Sequence, residues 1–314
     1  MKYQSNHDVK VLFMGTPEMS GEILEHVIQE GFDVVGLVCQ EDKEVGRDKH
    51  KEAVPTKKVA LAHGIQVFQP HKIRLDFEFA KTLGYDVLLT MAYGQIIPQG
   101  LLDLAKVGNI NLHGSILPKY RGAAPIQRSI MAGDDETGCT LMEMVAAMDA
   151  GVAYDIEKIK IEDEDNYTSL CKKMAEAGKA LVSRDLLKYA NGELKGEEQK
   201  EKDVTIAAKI KPEDEHLPLY LSVRGAFDYV RGLSEEPGAY LLLEGKKLKV
   251  YKCHIENKKV IRAVGEVVPD KKKLLVQFYD GMLSLDVVQL EGKKKMDASS
   301  FINGAHLSDH ILME

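Results

Sequence analysis

Between residues 88 and 155 the chain concentrates side chains able to do chemistry. Asn109-Ile-Asn-Leu-His-Gly-Ser-Ile-Leu-Pro-Lys-Tyr-Arg-Gly-Ala-Ala-Pro125 joins a strand-like run to a loop rich in glycine and proline. In a strand, Asn111 and His113 lie two residues apart and project from one face, while Ile110 and Leu112 project from the other. A carboxamide donor and an imidazole placed side by side at a strand's carboxyl end can both reach one carbonyl oxygen. Asp149, in Met148-Asp149-Ala150-Gly151, follows the next strand and belongs at the same edge, where it would orient the ring.

Such a trio suits acyl transfer to an amine. Attack on an amide-like carbonyl creates an oxyanion, which the Asn111 N–H stabilises; one such donor is typically worth roughly 3 kcal/mol. The attacking amine sheds a proton, and the imidazole of His113 is placed to take it. No serine or cysteine has a nucleophile-elbow context, so direct transfer is expected without a covalent intermediate. Singly, each residue has a structural explanation: a hydrogen-bonded histidine, an asparagine ending a strand, an aspartate in a turn. The residues alone leave the substrate open.

The elements that carry these residues follow from hydrophobic patterning. Val9–Met14 is a short apolar strand ending at Gly15, and Thr16 is expected to cap a helix running from Pro17 to Glu30. Strands follow at Asp33–Val38, Ile65–Phe68, Val87–Thr90, Asn109–His113 and Cys139–Met144, and a helix at Ser169–Tyr189. This rhythm predicts a doubly wound, mostly parallel α/β sheet, which binds ligands at its strands' carboxyl ends. The first turn, Gly15-Thr16-Pro17-Glu18-Met19-Ser20, lacks the glycine spacing of a dinucleotide fingerprint, and no phosphate-loop motif occurs. It reads as a structural turn and argues against a nicotinamide-dependent oxidoreductase.

The texture changes after Asn191-Gly192. Residues 193–203 are nearly all charged and read as an exposed linker. Beyond them come a helix at Ser222–Gly232 and strand-like runs at Tyr240–Leu243, Leu248–Tyr251, Val260–Val268, Leu274–Phe278 and Leu283–Leu290, a pattern for a small OB-like β-barrel. The expected division is 1–190 for the α/β domain, 191–206 for the linker and 207–314 for the barrel. A length of 314 residues, 44% hydrophobic and 29% charged, agrees with two globular domains. No apolar run reaches membrane-spanning length, and the polar Met1–Lys10 stretch lacks a signal core, so a cytoplasmic location is expected. The four cysteines form no Cys-x-x-Cys pair, and neither a metal site nor a disulfide framework is expected.

Five motifs carry a family resemblance: Phe13-Met-Gly-Thr-Pro17, Ala92-Tyr-Gly-Gln-Ile-Ile-Pro98, Asn111-Leu-His-Gly-Ser-Ile-Leu-Pro118, Arg121-Gly-Ala-Ala-Pro-Ile126 and Met148-Asp-Ala-Gly151. Through them the sequence resembles the 10-formyltetrahydrofolate-dependent formyltransferases, strongly to residue 155 and more weakly beyond the linker. The Arg-Gly-Ala-Ala-Pro-Ile run favours the branch acting on tRNA over the purine-pathway branch. The resemblance implies that Asn111, His113 and Asp149 are catalytic. It also implies that Ser115, Ile116, Leu117 and Pro118 form a folate-binding loop, and that Met91, Ala92, Tyr93, Gly94 and Ile96 line a pterin pocket. The implied co-substrate is 10-formyltetrahydrofolate and the implied acceptor initiator methionyl-tRNA; nothing in the sequence demands an oligomer, and a monomer is expected. Two other acyl acceptors are compatible with the trio: an amino-sugar nucleotide, or water in a formyltetrahydrofolate hydrolase. A non-catalytic RNA-binding module is a third alternative, disfavoured by the intact trio.

A tRNA ligand requires basic surface, although the net charge is −7. Residues 201–314 carry 15 lysines and three arginines against 18 acidic residues, whereas residues 1–200 hold the whole acidic excess. Lysines cluster at 246–247, 258–259, 271–273 and 293–295. A polar insertion follows the second strand, and by resemblance it enters the acceptor stem, with Arg47 and Lys49 contacting tRNA. The chain departs from the family pattern at Val152, which replaces an acidic residue, and at His216–Tyr220 and Ser234–Gly238, where tryptophan-containing segments are usual.

Overall fold

Val11, Leu12, Phe13 and Met14 are completely buried, as a central parallel strand requires when helices cover both faces. They form β1 (Lys10–Gly15), which feeds α1 (Glu18–Gln29) and then β2 (Asp33–Val38). A short hairpin, β3 (Lys43–Val45) and β4 (His50–Glu52), precedes α2 (Pro55–Ala62) and β5 (Val67–Phe68). Next come β6 (Val87–Met91), α3 (Gln99–Leu102), β7 (Gly108–His113), β8 (Arg121–Gly122), α4 (Pro125–Met131), β9 (Glu136–Glu143), β10 (Ala153–Lys160) and α5 (Tyr167–Ala190). This computed structural model describes residues 3–45, 50–256, 262–270, 272–305, 307 and 311–314.

The chain divides into two compact units, each discontinuous in sequence. One takes the chain through Ala123, Glu136–Lys160 and Cys171–Ala207; the other takes Ala124–Asp135, Ile161–Leu170 and the chain from Ala208. The first unit holds a seven-stranded sheet in the order β10-β9-β7-β6-β1-β2-β5. The five strands from β7 to β5 are parallel, and β9 and β10 add antiparallel to the β7 edge. The mostly parallel α/β sheet expected from the sequence is therefore present. β10 was not foreseen, because Ala153–Lys160 is half-exposed and charged, as an edge strand must be.

The expected helix cap is corrected. The α1 N-cap is Pro17, with no side-chain cap bond. The Thr16 hydroxyl instead donates to the Tyr93 carbonyl at 3.1 Å and accepts the Gln40 amide at 3.3 Å. Glycine is nevertheless required at position 15, where a Cβ would lie 2.7 Å from Ser20 Cβ and 2.8 Å from the Met91 carbonyl oxygen.

The charged run after α5 is held along the first unit. Glu197 and Ala153 exchange backbone hydrogen bonds of 2.8 and 3.0 Å, and β11 (Ile206–Ala207) pairs with β8. In the second unit Ser222 caps α6 (Val223–Gly232) by accepting the Gly225 amide at 3.0 Å. The sheet that follows is antiparallel: β12 (Ala239–Leu243), β13 (Lys246–Glu256), β14 (Val267–Asp270), β15 (Lys273–Phe278), β16 (Gly281–Leu290) and β17 (Met296–Asp297), then α7 (Ala298–Ala305). The strand expected over Val260–Val268 begins only at Val267; residues 257–261 lie outside the described residues. Ile311–Glu314 bridges β12 through Leu243 and the β14 side through Glu266, which curls the sheet into a barrel. Leu241, Leu248, Val250, Leu274, Val276, Leu283 and Leu285 fill it without exposure.

Candidate active site

Alternation in β7 sends Ile110 and Leu112 into the core and leaves Asn111 and His113 on one face at the strand's carboxyl end. Asn111 lies in register with Thr90 of the neighbouring β6, and the Thr90 hydroxyl donates to Asn111 Oδ1 at 2.6 Å. That bond occupies the carboxamide oxygen, so the Nδ2 donors are free to point elsewhere. Sequence reasoning missed Thr90; its only signal is a hydroxyl interrupting an otherwise aliphatic strand.

His113 is 5% exposed. Its Nε2 lies 2.9 Å from the Tyr120 carbonyl oxygen, and a carbonyl only accepts, so Nε2 carries a proton. The other ring nitrogen, Nδ1, faces Asp149 Oδ2 at 3.6 Å. Asp149 sits in the left-handed region at φ 50, and its Oδ2 also accepts the Gly122 amide at 2.8 Å. Both residues of the His113–Asp149 pair are thus tied to the 115–122 loop, by Tyr120 for the ring and Gly122 for the carboxylate.

That loop is cross-braced. The Ser115 hydroxyl donates to the Lys119 carbonyl at 2.6 Å, and the Thr140 hydroxyl donates to the Ser115 carbonyl at 2.6 Å while accepting the Leu117 amide at 3.2 Å. Ser115 and Leu117 are buried by this packing, whereas Ile116 and Pro118 retain partial exposure. A second loop follows β6. Met91 and Tyr93 turn into the interior, and Ala92, Gly94 and Ile96 are exposed, Ile96 to 80%. Burial pushes the Tyr93 phenol well above its ordinary range. The Tyr93 carbonyl accepts from Thr16 and from Gln40 Nε2 at 3.0 Å, which joins the loops after β1, β2 and β6. These are the carboxyl ends of parallel strands, where such sheets place ligands.

Burial pushes the Cys39 thiol, at the end of β2, up to about 11, so it stays protonated at neutral pH and is no nucleophile. The hollow of about 400 Å³ lined by Glu18, Glu22, His26, Lys58 and Lys179 contains none of the expected site residues. Arg47 and Lys49 lie outside the described residues, between β3 and β4.

The "Formyl transferase" family model matches residues 8–186, and "Formyl transferase, C-terminal domain" matches 209–306. Fold and sequence together define a formyl transferase. The curated methionyl-tRNA formyltransferase of Lactobacillus gasseri is 39% identical over 299 residues, covering 94% of this chain and 95% of its own. That of Streptococcus pyogenes serotype M6 is 40% identical over 305 residues, covering 94% and 96%. The chain belongs to the methionyl-tRNA formyltransferase family. Among solved structures it is similar to WlaRD, a sugar 3N-formyl transferase (TM-score 0.67, 17% identity, 92% of this chain and 100% of that one). It is also similar to the methionyl-tRNA formyltransferase from Clostridium thermocellum (TM-score 0.54, 16% identity, 81% and 96%). At these identities the solved structures speak to fold alone.

Proposed function

We propose that the chain transfers a formyl group from 10-formyltetrahydrofolate to the α-amino group of initiator methionyl-tRNA, in support of translation initiation, and that Asn111, His113 and Asp149 carry the transfer. The observation that supports the assignment is the meeting of His113 and Asp149 beside the face that presents Asn111, at the carboxyl end of β7. The amine nitrogen attacks the formyl carbon, and the carbonyl electron pair moves onto oxygen. Asn111 Nδ2 stabilises that oxyanion. With Nε2–H committed to Tyr120, His113 takes up the amine proton at Nδ1, and Asp149 stabilises the imidazolium. Collapse restores the carbonyl, the bond to folate N10 breaks, and the proton passes to N10. One proton crosses from amine to leaving group, and no acyl-enzyme forms.

The exposed Ala92, Gly94 and Ile96 offer backbone groups and an apolar surface to a flat heterocycle, and the partly exposed Ile116 and Pro118 add to it. WlaRD was solved in the presence of 5-N-formyl-THF, which supports a folate site in this fold. In this reading residues 1–190 perform catalysis, 191–206 connect, and 207–314 bind tRNA with Arg47 and Lys49 of the insertion, in the cytoplasm and as a monomer. No helix among the described residues is long and apolar enough to cross a membrane. The deciding assay follows labelled formyl from 10-formyltetrahydrofolate with charged initiator tRNA, an amino-sugar nucleotide or no acceptor. Label in methionyl-tRNA alone is expected; label in the sugar, or formate release without acceptor at a comparable rate, would replace this function with one of the alternatives.

A further inference from the structure

Gln199 reads in the sequence as one more polar residue in a charged run. In the structure its amide makes three bonds within the first unit. Nε2 donates to the Asp149 carbonyl at 2.8 Å and to the Gly151 carbonyl at 2.7 Å. Oε1 accepts from Arg121 Nε at 2.9 Å. Arg121, 8% exposed, also pairs with Glu201 at 3.0 Å and donates its backbone amide to the Thr205 carbonyl at 2.9 Å. Thr205 Oγ1 accepts the Tyr120 amide at 2.8 Å, and β11 pairs in register with Arg121 and Gly122. Residues 197–207 therefore touch both segments that place the proposed catalytic pair. They hold the turn containing Asp149 through Gln199, and they hold Tyr120 and Gly122, which in turn hold His113 Nε2 and Asp149 Oδ2.

We infer that Gln199 is a positioning residue for formyl transfer: it fixes the Asp149–Gly151 backbone against Arg121 and so sets the Asp149 carboxylate at His113. Asp149 occupies a left-handed backbone conformation unfavourable for a residue with a side chain, so its turn needs outside bonds to persist. The two hydrogens of one carboxamide supply them. No aliphatic side chain and no carboxylate can donate both. Glutamate at this position would instead aim an anion at two carbonyl oxygens. The same strap ends at Ala207, after which the chain passes into the second unit, one of the five points at which it crosses between the units.

The inference rests on the assignment of His113 and Asp149 above, and its test separates the two. Gln199→Met and Gln199→Glu are compared with Asp149→Asn in the full-length enzyme, measuring kcat, KM for 10-formyltetrahydrofolate, KM for methionyl-tRNA and the melting temperature. Misplacing a catalytic group by about 1 Å costs about 100-fold. Both Gln199 variants are expected to lose about 10- to 100-fold in kcat, with both KM values within about twofold of wild type, and to melt somewhat lower because the partners of Gln199 are left unpaired. A merely structural role would lower the melting temperature while leaving kcat of the folded enzyme at the wild-type value, or spread the loss over KM. Normal kcat in both Gln199 variants with an inactive Asp149→Asn overturns the inference and leaves the catalytic assignment standing. An active Asp149→Asn overturns both.

Discussion

Thr90 and Asn111 stand in register on adjacent parallel strands, and the Thr90 hydroxyl donates a 2.6 Å hydrogen bond to Asn111 Oδ1. The bond decides which end of the carboxamide is committed to the protein and which remains for the oxyanion of the proposed transfer. Thr90→Val preserves volume and deletes the donor, leaving a carbonyl oxygen unpartnered at a cost of about 1–3 kcal/mol. The expected outcome is a fall in kcat of about tenfold or more with little change in folate KM, and recovery in Thr90→Ser. Steady-state kinetics at saturating acceptor check it.

A carboxyl pair, Asp185 buried and Asp155 partly exposed, gives a prediction in pH. Burial, then the hydrogen bond and charge of Asp155, push the Asp185 carboxyl above its usual range. For Asp155 burial acts upward too, but bonds from the Ile156 amide, Asp185 and Arg184 outweigh it and hold the group low. A raised folded-state value means that the Asp185 contribution is fully present at low pH and is lost as pH rises through that value. Asp185→Asn mimics the protonated form. It should melt above wild type at pH 7–8, with the difference shrinking as pH falls toward 4. Thermal melts across that range test the sign.

Met313 is 2% exposed and belongs to the Ile311–Glu314 segment that joins β12 to the β14 side of the barrel. Met313→Ala should destabilise the second unit by about 2–5 kcal/mol, as large-to-small core changes do. Chemical denaturation monitored by a probe within the barrel measures the loss.

Much of the α/β body was legible because buried parallel strands are written as continuous apolar runs and β7 as strict alternation. Asn111 and His113 could be read two residues apart for the same reason. The other parts depend on partners distant in sequence. Thr16 resembles a cap, but its hydroxyl serves a carbonyl 77 residues away. β10 hides behind Asp155, Glu157 and Lys158, whose charges suit an edge. The barrel's closing contacts are isolated bridges at Leu312 and Met313, too short a stretch for any periodicity. Gln199 has no local signature, since its bonds reach back 48 and 50 residues.

The insertion carried on β3 and β4 exposes Lys43, His50 and Lys51, with Arg47 between the strands in sequence. Each phosphate contact adds about −0.9 to the slope of log affinity against log salt on duplex nucleic acid. Arg47→Ala should therefore raise KM for methionyl-tRNA about tenfold, flatten its salt dependence by about one contact and leave folate affinity unchanged. Equal losses in tRNA and folate binding would remove Arg47 from the tRNA contact.

In the proposed transfer Asn111 and the His113–Asp149 pair act on the formyl group itself. Single-turnover transfer at saturating 10-formyltetrahydrofolate and methionyl-tRNA, comparing wild type with Asn111→Ala and His113→Ala, tests it most directly. A rate at least about 100-fold lower is expected in each variant, with folate dissociation constants within about threefold of wild type. Folded variants that transfer formyl at close to the wild-type rate would contradict it.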